Sequence, residues 1–309
     1  MIHCMKTLFI GVFFLFFSNA EAQDIDIVTY ELVGNNLGEQ ENHSVDEEFL
    51  YLQEDVDLHL RIWEEFKALI PSSYWDTFVR LQLTTDDLDG TLAAVDKTTF
   101  DSSSNEWVLL VDIVDAEDAF ATGSPELKNT LIHELGHVLT LSTDQVDWDN
   151  PGISLDNEST EEDVSDFFLL QEDCVSGVLV QEGCLNEDSY FNQFFQAFWS
   201  QDVFDEHLNF ILENTPEEAA EKLYQASPDN YVSEYAATNP GEDIAESWMY
   251  FVILDASTGN SIKDDKINFF YQFDELVELR QDIRFNSGDK PTIIASSSWG
   301  QIKMHVSRK

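Results

Sequence analysis

The stretch LIHELGHVLTL, residues 131–141, constrains the chain more than any other. His133 and His137 stand four apart, so on a helix they lie one turn above the other with both imidazoles aimed at one place. Glu134 follows the first directly and completes His-Glu-x-x-His, a pattern in which two neutral imidazoles hold Zn²⁺ and the glutamate takes the proton of its water. Leu131, Ile132, Leu135, Val138, Leu139 and Leu141 supply the apolar positions of a core helix around that polar strip. Ser124 and Pro125 read as N-cap and first helical residue, with Leu127 opening the apolar pattern. The plain alternative is a hydrogen-bonded histidine pair with no metal.

A zinc ion held by two imidazoles is under-coordinated, because a catalytic site carries three protein ligands and keeps a fourth position open. A third histidine six residues after the second, with a glycine between, is excluded, since those places are Thr143 and Thr140. The best later stretch is SEYAATNPGEDIAESWMYF, residues 233–251. Glu242 and Glu246 share a helix face, while Ile244, Ala245, Trp248, Met249 and Val252 can face a core. Asn239 and Pro240 suit the N-cap and first turn. Glu242 then enters the site as third ligand. Glu246 is the alternative ligand or, one turn on, a carboxylate that fixes a histidine's tautomer. Asn239-x-x-Glu242 is equally a capping box, in which Glu242 only satisfies a backbone N–H.

Around these motifs, residues 55–70 read as an amphipathic helix ended by Pro71. Strand signals follow at 78–83, 92–95 and 107–113, separated by turns at 86–90 and 101–105. The aspartates of TTDDLDGT, residues 84–91, read as a turn because their spacing does not match the twelve-residue calcium loop. Residues 23–50 read as a short strand and a flexible arm. Between the two motifs, residues 143–230 carry helical patterns at 164–170, 190–199, 203–212 and 216–224, which makes them a long helical insertion. His59, His207 and His305 are isolated and read as packed or surface residues, with His207 a remote alternative ligand.

The 309 residues hold 61 acids against 15 bases, a formal charge of -46 that argues against nucleic acid or an anionic membrane as partner. Lys6, an apolar run over residues 8–17 and Ala20-Glu21-Ala22 read as a cleaved signal peptide, residues 1–22, too short for a stable membrane anchor. A secreted or periplasmic protein is expected. Its two mature cysteines, Cys174 and Cys184, most simply form one disulfide. Residues 289–309 read as a C-terminal tail.

TLIHELGHVL resembles the zincin metallopeptidases. Together with YAATNPGEDIAES it is similar to the gluzincin arrangement of the anthrax lethal factor type and of secreted bacterial zinc metallopeptidases. In that type a tyrosine precedes the ligand glutamate by seven residues, matching Tyr235 to Glu242, and a second glutamate follows by four, matching Glu246. The resemblance implies an α+β zincin-like domain over residues 51–288, with a small mixed sheet, an active-site helix and the helical insertion. It also implies a peptide or protein substrate, lying along an edge strand at 107–113 or the strand before it. His133, His137 and Glu242 would hold zinc, Glu134 would act as general base and Tyr235 would donate to the oxyanion. Core packing accounts for Tyr235 equally well, and Tyr231 is a poorer substitute. The competing readings are a zinc-holding scaffold without turnover and a metallohydrolase acting on something other than a peptide.

Overall fold

The computed structural model describes residues 25–86 and 92–288. The expected signal peptide and C-terminal tail lie outside them, as does most of the turn over 84–91. Ile27, Val28 and Tyr30 bury one side of β1 (Ile25–Val33). Gly34 and Asn35, both left-handed at φ 56° and 63°, turn the chain into β2 (Asn36–Asn42). Residues 23–50 therefore differ from the expected arm, because this antiparallel hairpin pairs through β1 with the central sheet.

Short α1 (Leu50–Glu54) leads to α2 (Val56–Leu69), where the Asp55 side chain accepts the Leu58 N–H. Ile62, Trp63, Phe66 and Leu69 are the buried stripe of α2, which stops two residues before Pro71. Next come β3 (Phe78–Thr85), β4 (Ala93–Lys97) and β5 (Trp107–Asp112), giving a mixed sheet in the order β2-β1-β3-β5-β4. Only β3 and β5 run parallel; the other neighbours are antiparallel. The apolar run of β5 fits an interior strand covered on both faces. Beside β5 the sheet edge thus falls to β4, the strand before the first-named substrate candidate, with β2 at the opposite edge.

Asp112 accepts the N–H groups of Val114 and Asp115 and so starts α3 (Ile113–Thr122), a helix that the motif reading did not anticipate. After Gly123, left-handed at φ 72°, comes α4 (Glu126–Thr140), which carries the His-Glu-x-x-His motif. Helix α4 begins one residue later than expected, with Pro125 at the N-cap position and Ser124 Oγ accepting from the Glu126 N–H at 3.2 Å.

The segment between the motifs contains β6 (Val146–Asp147), α5 (Glu161–Asp173), β7 (Leu179–Val180), β8 (Gly183–Leu185), α6 (Tyr190–Phe198), α7 (Gln201–Glu213) and α8 (Pro216–Ala226). It is helical except for a small antiparallel sheet, β6-β8-β7, that the sequence did not suggest. Cys174 and Cys184 form a disulfide that ties the end of α5 to β8. Gly183 lets β8 lie against β6, since a Cβ there would sit 2.1 Å from the Asp147 carbonyl oxygen.

The chain closes with α9 (Pro240–Ile253), α10 (Ile262–Phe269) and α11 (Asp274–Asn286). From α11, Arg280 and Arg284 donate to the carbonyls of Phe251, Val252 and Leu254, satisfying the end of α9. The fold is α+β, with one main apolar core running from the sheet through α2 and α4 to α9 and α11. Helices α4 and α9 meet closely. A Cβ on Gly136 would lie 2.9 Å from Trp248 Cδ1 and 3.2 Å from Ala245 Cα, and Trp248 Nε1 donates to the Ile132 carbonyl at 3.1 Å. A mid-helix glycine costs about 1 kcal/mol relative to alanine; here it allows that approach.

Candidate metal centre

His133, Glu134 and His137 form a buried group on α4 that can hold a metal ion. The helical offset of four brings the two rings to 4.8 Å between centroids and their Nε2 atoms to 3.0 Å. Close approach of α9 delivers Glu242, whose Oε2 lies 3.1 Å from His133 Nε2 and 3.3 Å from His137 Nε2. Three donor atoms thus form a triangle with edges of 3.0, 3.1 and 3.3 Å. Tetrahedral zinc with bonds of about 2.0–2.1 Å separates its ligand atoms by about 3.3–3.4 Å, so the set needs only slight widening.

The surroundings fix these donors. His133 Nδ1 is 3.0 Å from Glu246 Oε1, which holds the Nδ1–H tautomer and leaves the Nε2 lone pair facing inward. Ser233 Oγ donates to Glu246 Oε2 at 2.5 Å and accepts the Ala236 N–H, joining this carboxylate to the loop before α9. Asn239 caps α9 by accepting the Glu242 N–H at 2.9 Å. Capping and site entry are compatible, because Glu242 gives its amide to Asn239 and turns its carboxylate to the imidazoles.

Electrostatics favour positive charge at this point. Burial alone would depress His133, but Glu242, Glu246 and Glu134 outweigh it and raise the imidazole well above its ordinary value. Burial also opposes the charged form of His137, yet Glu242 raises it. Burial would push Glu242 up, whereas the facing imidazoles of His137 and His133 hold it well below the usual carboxylate range. Two lone pairs and a carboxylate converging out of water are repulsive unless a cation lies among them. Protons serve when no ion is bound, and a divalent metal fits the same field.

Glu134 sits beside the triangle. Burial pushes its carboxyl up to about 7, with the two imidazoles and the Val95 N–H pulling the other way. That Val95 contact, missed by sequence reasoning, attaches the general-base candidate to edge strand β4. Tyr235 is 41% exposed, with its ring 5.8 Å from His133 and its hydroxyl hydrogen-bonded to Glu242. Tyr231 is buried against Trp199 instead. His207, the remote alternative ligand, lines the same cleft but is not one of the triangle's donors: its Nε2 donates to the Thr238 carbonyl at 2.7 Å. His59 is buried between Tyr30 and Leu52, and His305 lies outside the described residues.

A cleft of about 210 Å³ opens over the triangle between β4, α4 and the loop entering α9. Its remaining walls come from the segment between the motifs, including Phe167, Phe204, Leu208 and Glu182. Glu182, which the sequence reading passed over among 61 acids, tops the β7–β8 hairpin. Burial raises its carboxyl, partly offset by His137. No protein family, curated protein or solved structure matches the chain.

Proposed function

We propose that this protein is an exported zinc-dependent peptidase with a zincin-like catalytic domain. The observation that carries this reading is the convergence of His133, His137 and Glu242 within 3.3 Å of one another, with Glu134 buried alongside. Imidazole nitrogen and carboxylate oxygen are the donors zinc takes, and three of them are the number a catalytic site uses. Bound there, zinc would polarise a scissile carbonyl and make a water acidic enough to lose its proton near neutral pH.

The protein's own groups account for the remaining steps. Glu134 accepts the proton of the attacking water and passes it to the leaving amine, and burial suits its carboxyl to both tasks near neutral pH. Tyr235 can donate its hydroxyl to the carbonyl oxygen as that atom gains charge. Ala93, Ala94 and Val95 of the edge strand β4 line the same cleft, so an extended peptide can pair with the sheet there and reach Glu134. The apolar walls accept its side chains. Export fits the disulfide, and no helix among the described residues is long and apolar enough to cross a membrane.

Zinc content and cleavage of a mixed peptide library, compared between the parent and Glu134→Gln, test the reading. Zinc in both proteins with cleavage only by the parent is the expected result. Zinc in both with no cleavage by either leaves a zinc-holding scaffold, and absence of zinc removes the proposal.

A further inference from the structure

Helix α4 has a second face. Behind it, α2, α3, α4, α9 and α11 border a half-open cavity of about 470 Å³ that shares no lining residue with the cleft over the metal centre. The charge of its wall is opposite to that of the chain. Acids outnumber bases 61 to 15 in the sequence, yet Arg61, Lys128 and Arg284 line this cavity against Glu65 alone. Among the described residues, neither the metal-centre cleft nor the cavity beside the disulfide has a Lys or Arg in its wall.

These cations are incompletely matched. Lys128 has Glu65 at 3.4 Å, and Arg61 lies 3.8 Å over the Phe120 ring with no ion pair among the described residues. Arg284 is only 8% exposed; its Nη groups donate to the Val252 and Leu254 carbonyls and meet the mostly solvated Asp255 at 3.2 Å, but its Nε has no hydrogen-bond partner among the described residues. The first turn of α4 joins the same wall through Ser124, Pro125, Leu127 and Lys128. Its leading N–H groups lack acceptors within the helix and carry the positive end of the helix dipole. Positive groups gathered in a recess, in a protein with few of them, are stabilised by a negative partner. Leu69, Leu127, Ile132 and Ile283 add an apolar floor.

We infer that this cavity is a binding site for a small anion, whose carboxylate or phosphate group is held by Arg61, Lys128 and the first turn of α4 while any apolar body rests on the floor. The site is independent of the proposed peptidase activity. It reaches α4 at Ile132, the residue before His133.

Isothermal titration of the full, metal-loaded protein with inorganic phosphate, and separately with hexanoate, tests the inference. Saturable one-to-one binding is expected, with phosphate indicating a phosphoryl ligand and hexanoate a carboxylate with an apolar body. Arg61→Gln combined with Lys128→Gln weakens that binding at least tenfold. Arg80→Gln combined with Lys222→Gln, the same charge change elsewhere on the surface, leaves it within twofold. All four side chains reach solvent, and melting curves verify that both variants fold. No saturable binding of either probe overturns the inference, as does equal weakening in both double variants, which signals only general electrostatics. Binding undiminished by the first pair places the anion elsewhere and also overturns it.

Discussion

Glu242 and Asp243 are consecutive residues in the first turn of α9, both enclosed by protein, and their carboxylates meet opposite circumstances. Glu242 faces two imidazoles whose lone pairs converge with its own oxygen. Asp243, fully buried, receives Lys266 Nζ at 2.5 Å and Trp199 Nε1 at 2.8 Å, and Lys266 also lies 4.5 Å over the Tyr231 ring. One acid belongs to a set that still requires a cation; its neighbour already has one built in. Burial raises Asp243 and lowers Lys266 against their mutual attraction, as for a pair whose role is to join elements. That pair connects α9 to α10 and to the end of α6. A self-sufficient ion pair fixes architecture, whereas an unfinished one marks the place where chemistry can enter.

The largest expected effects test the unfinished set. Glu134→Gln should retain zinc while peptide hydrolysis falls about 10²–10⁴-fold, the usual contribution of a positioned base. Glu242→Gln should lose zinc affinity by more than the 10–100-fold typical of an outer hydrogen-bond partner, as measured by chelator competition. If Asp243→Ala, rather than Glu242→Gln, strips the metal, the contrast between the neighbours is wrong.

Next comes the completed pair. Asp243→Ala leaves Lys266 buried without its acid and should cost about 3–5 kcal/mol in denaturant unfolding. Replacing both, as Asp243→Leu with Lys266→Met, should recover most of that loss. Failure of the double variant to recover would mean that the pair does more than cancel its own charges.

Glu246 stands between the two cases, since it touches His133 Nδ1 and Ser233 and none of the inward-facing donor atoms. Glu246→Gln should weaken zinc about 10–100-fold with little change in stability. Equilibrium dialysis against zinc measures the first quantity and thermal melting the second.

The smallest effect concerns a half-buried acid with neither kind of partner. The side chain of Asp96, on β4, makes no hydrogen bond or ion pair among the described residues, and burial pushes its carboxyl up from 3.8 to about 6. The folded protein therefore holds this proton more tightly than the unfolded chain does. Its contribution to stability is complete below about pH 4 and disappears as pH rises through about 6. Asp96→Asn stays neutral, so its melting temperature should gain on that of the parent between those values and remain higher at pH 7.

Local spacing made half of the site legible. The interval of four that joins His133 to His137, and Glu242 to Glu246, holds on any α-helix whatever its surroundings. Which oxygen meets which nitrogen depends on the separation of α4 and α9, and the sign of that closeness, Gly136 against Ala245 and Trp248, reads in sequence as an ordinary motif glycine. The β1–β2 hairpin escaped because β2 is a polar, mostly exposed strand, and β1 shifts register between Tyr30 and Leu32, which blurs its alternation. Gly34-Asn35 was the available signal. Strand β5 gave itself away as interior through its unbroken apolar run, and that should have moved the edge to β4. Nothing local announced the Val95 contact or the pairing of Asp243 with Lys266, because each joins segments brought together only by the finished core.

The tight seam between the motif helix and its later neighbour has one further consequence. With no room for a methyl group at Gly136, and an indole clasped to the Ile132 carbonyl, the two helices are packed directly against each other. The group that can hold an ion is therefore assembled by folding alone. For the proposed zinc peptidase, loading and stripping would then be reversible events on a finished scaffold, and a chelator would silence that activity without melting the protein.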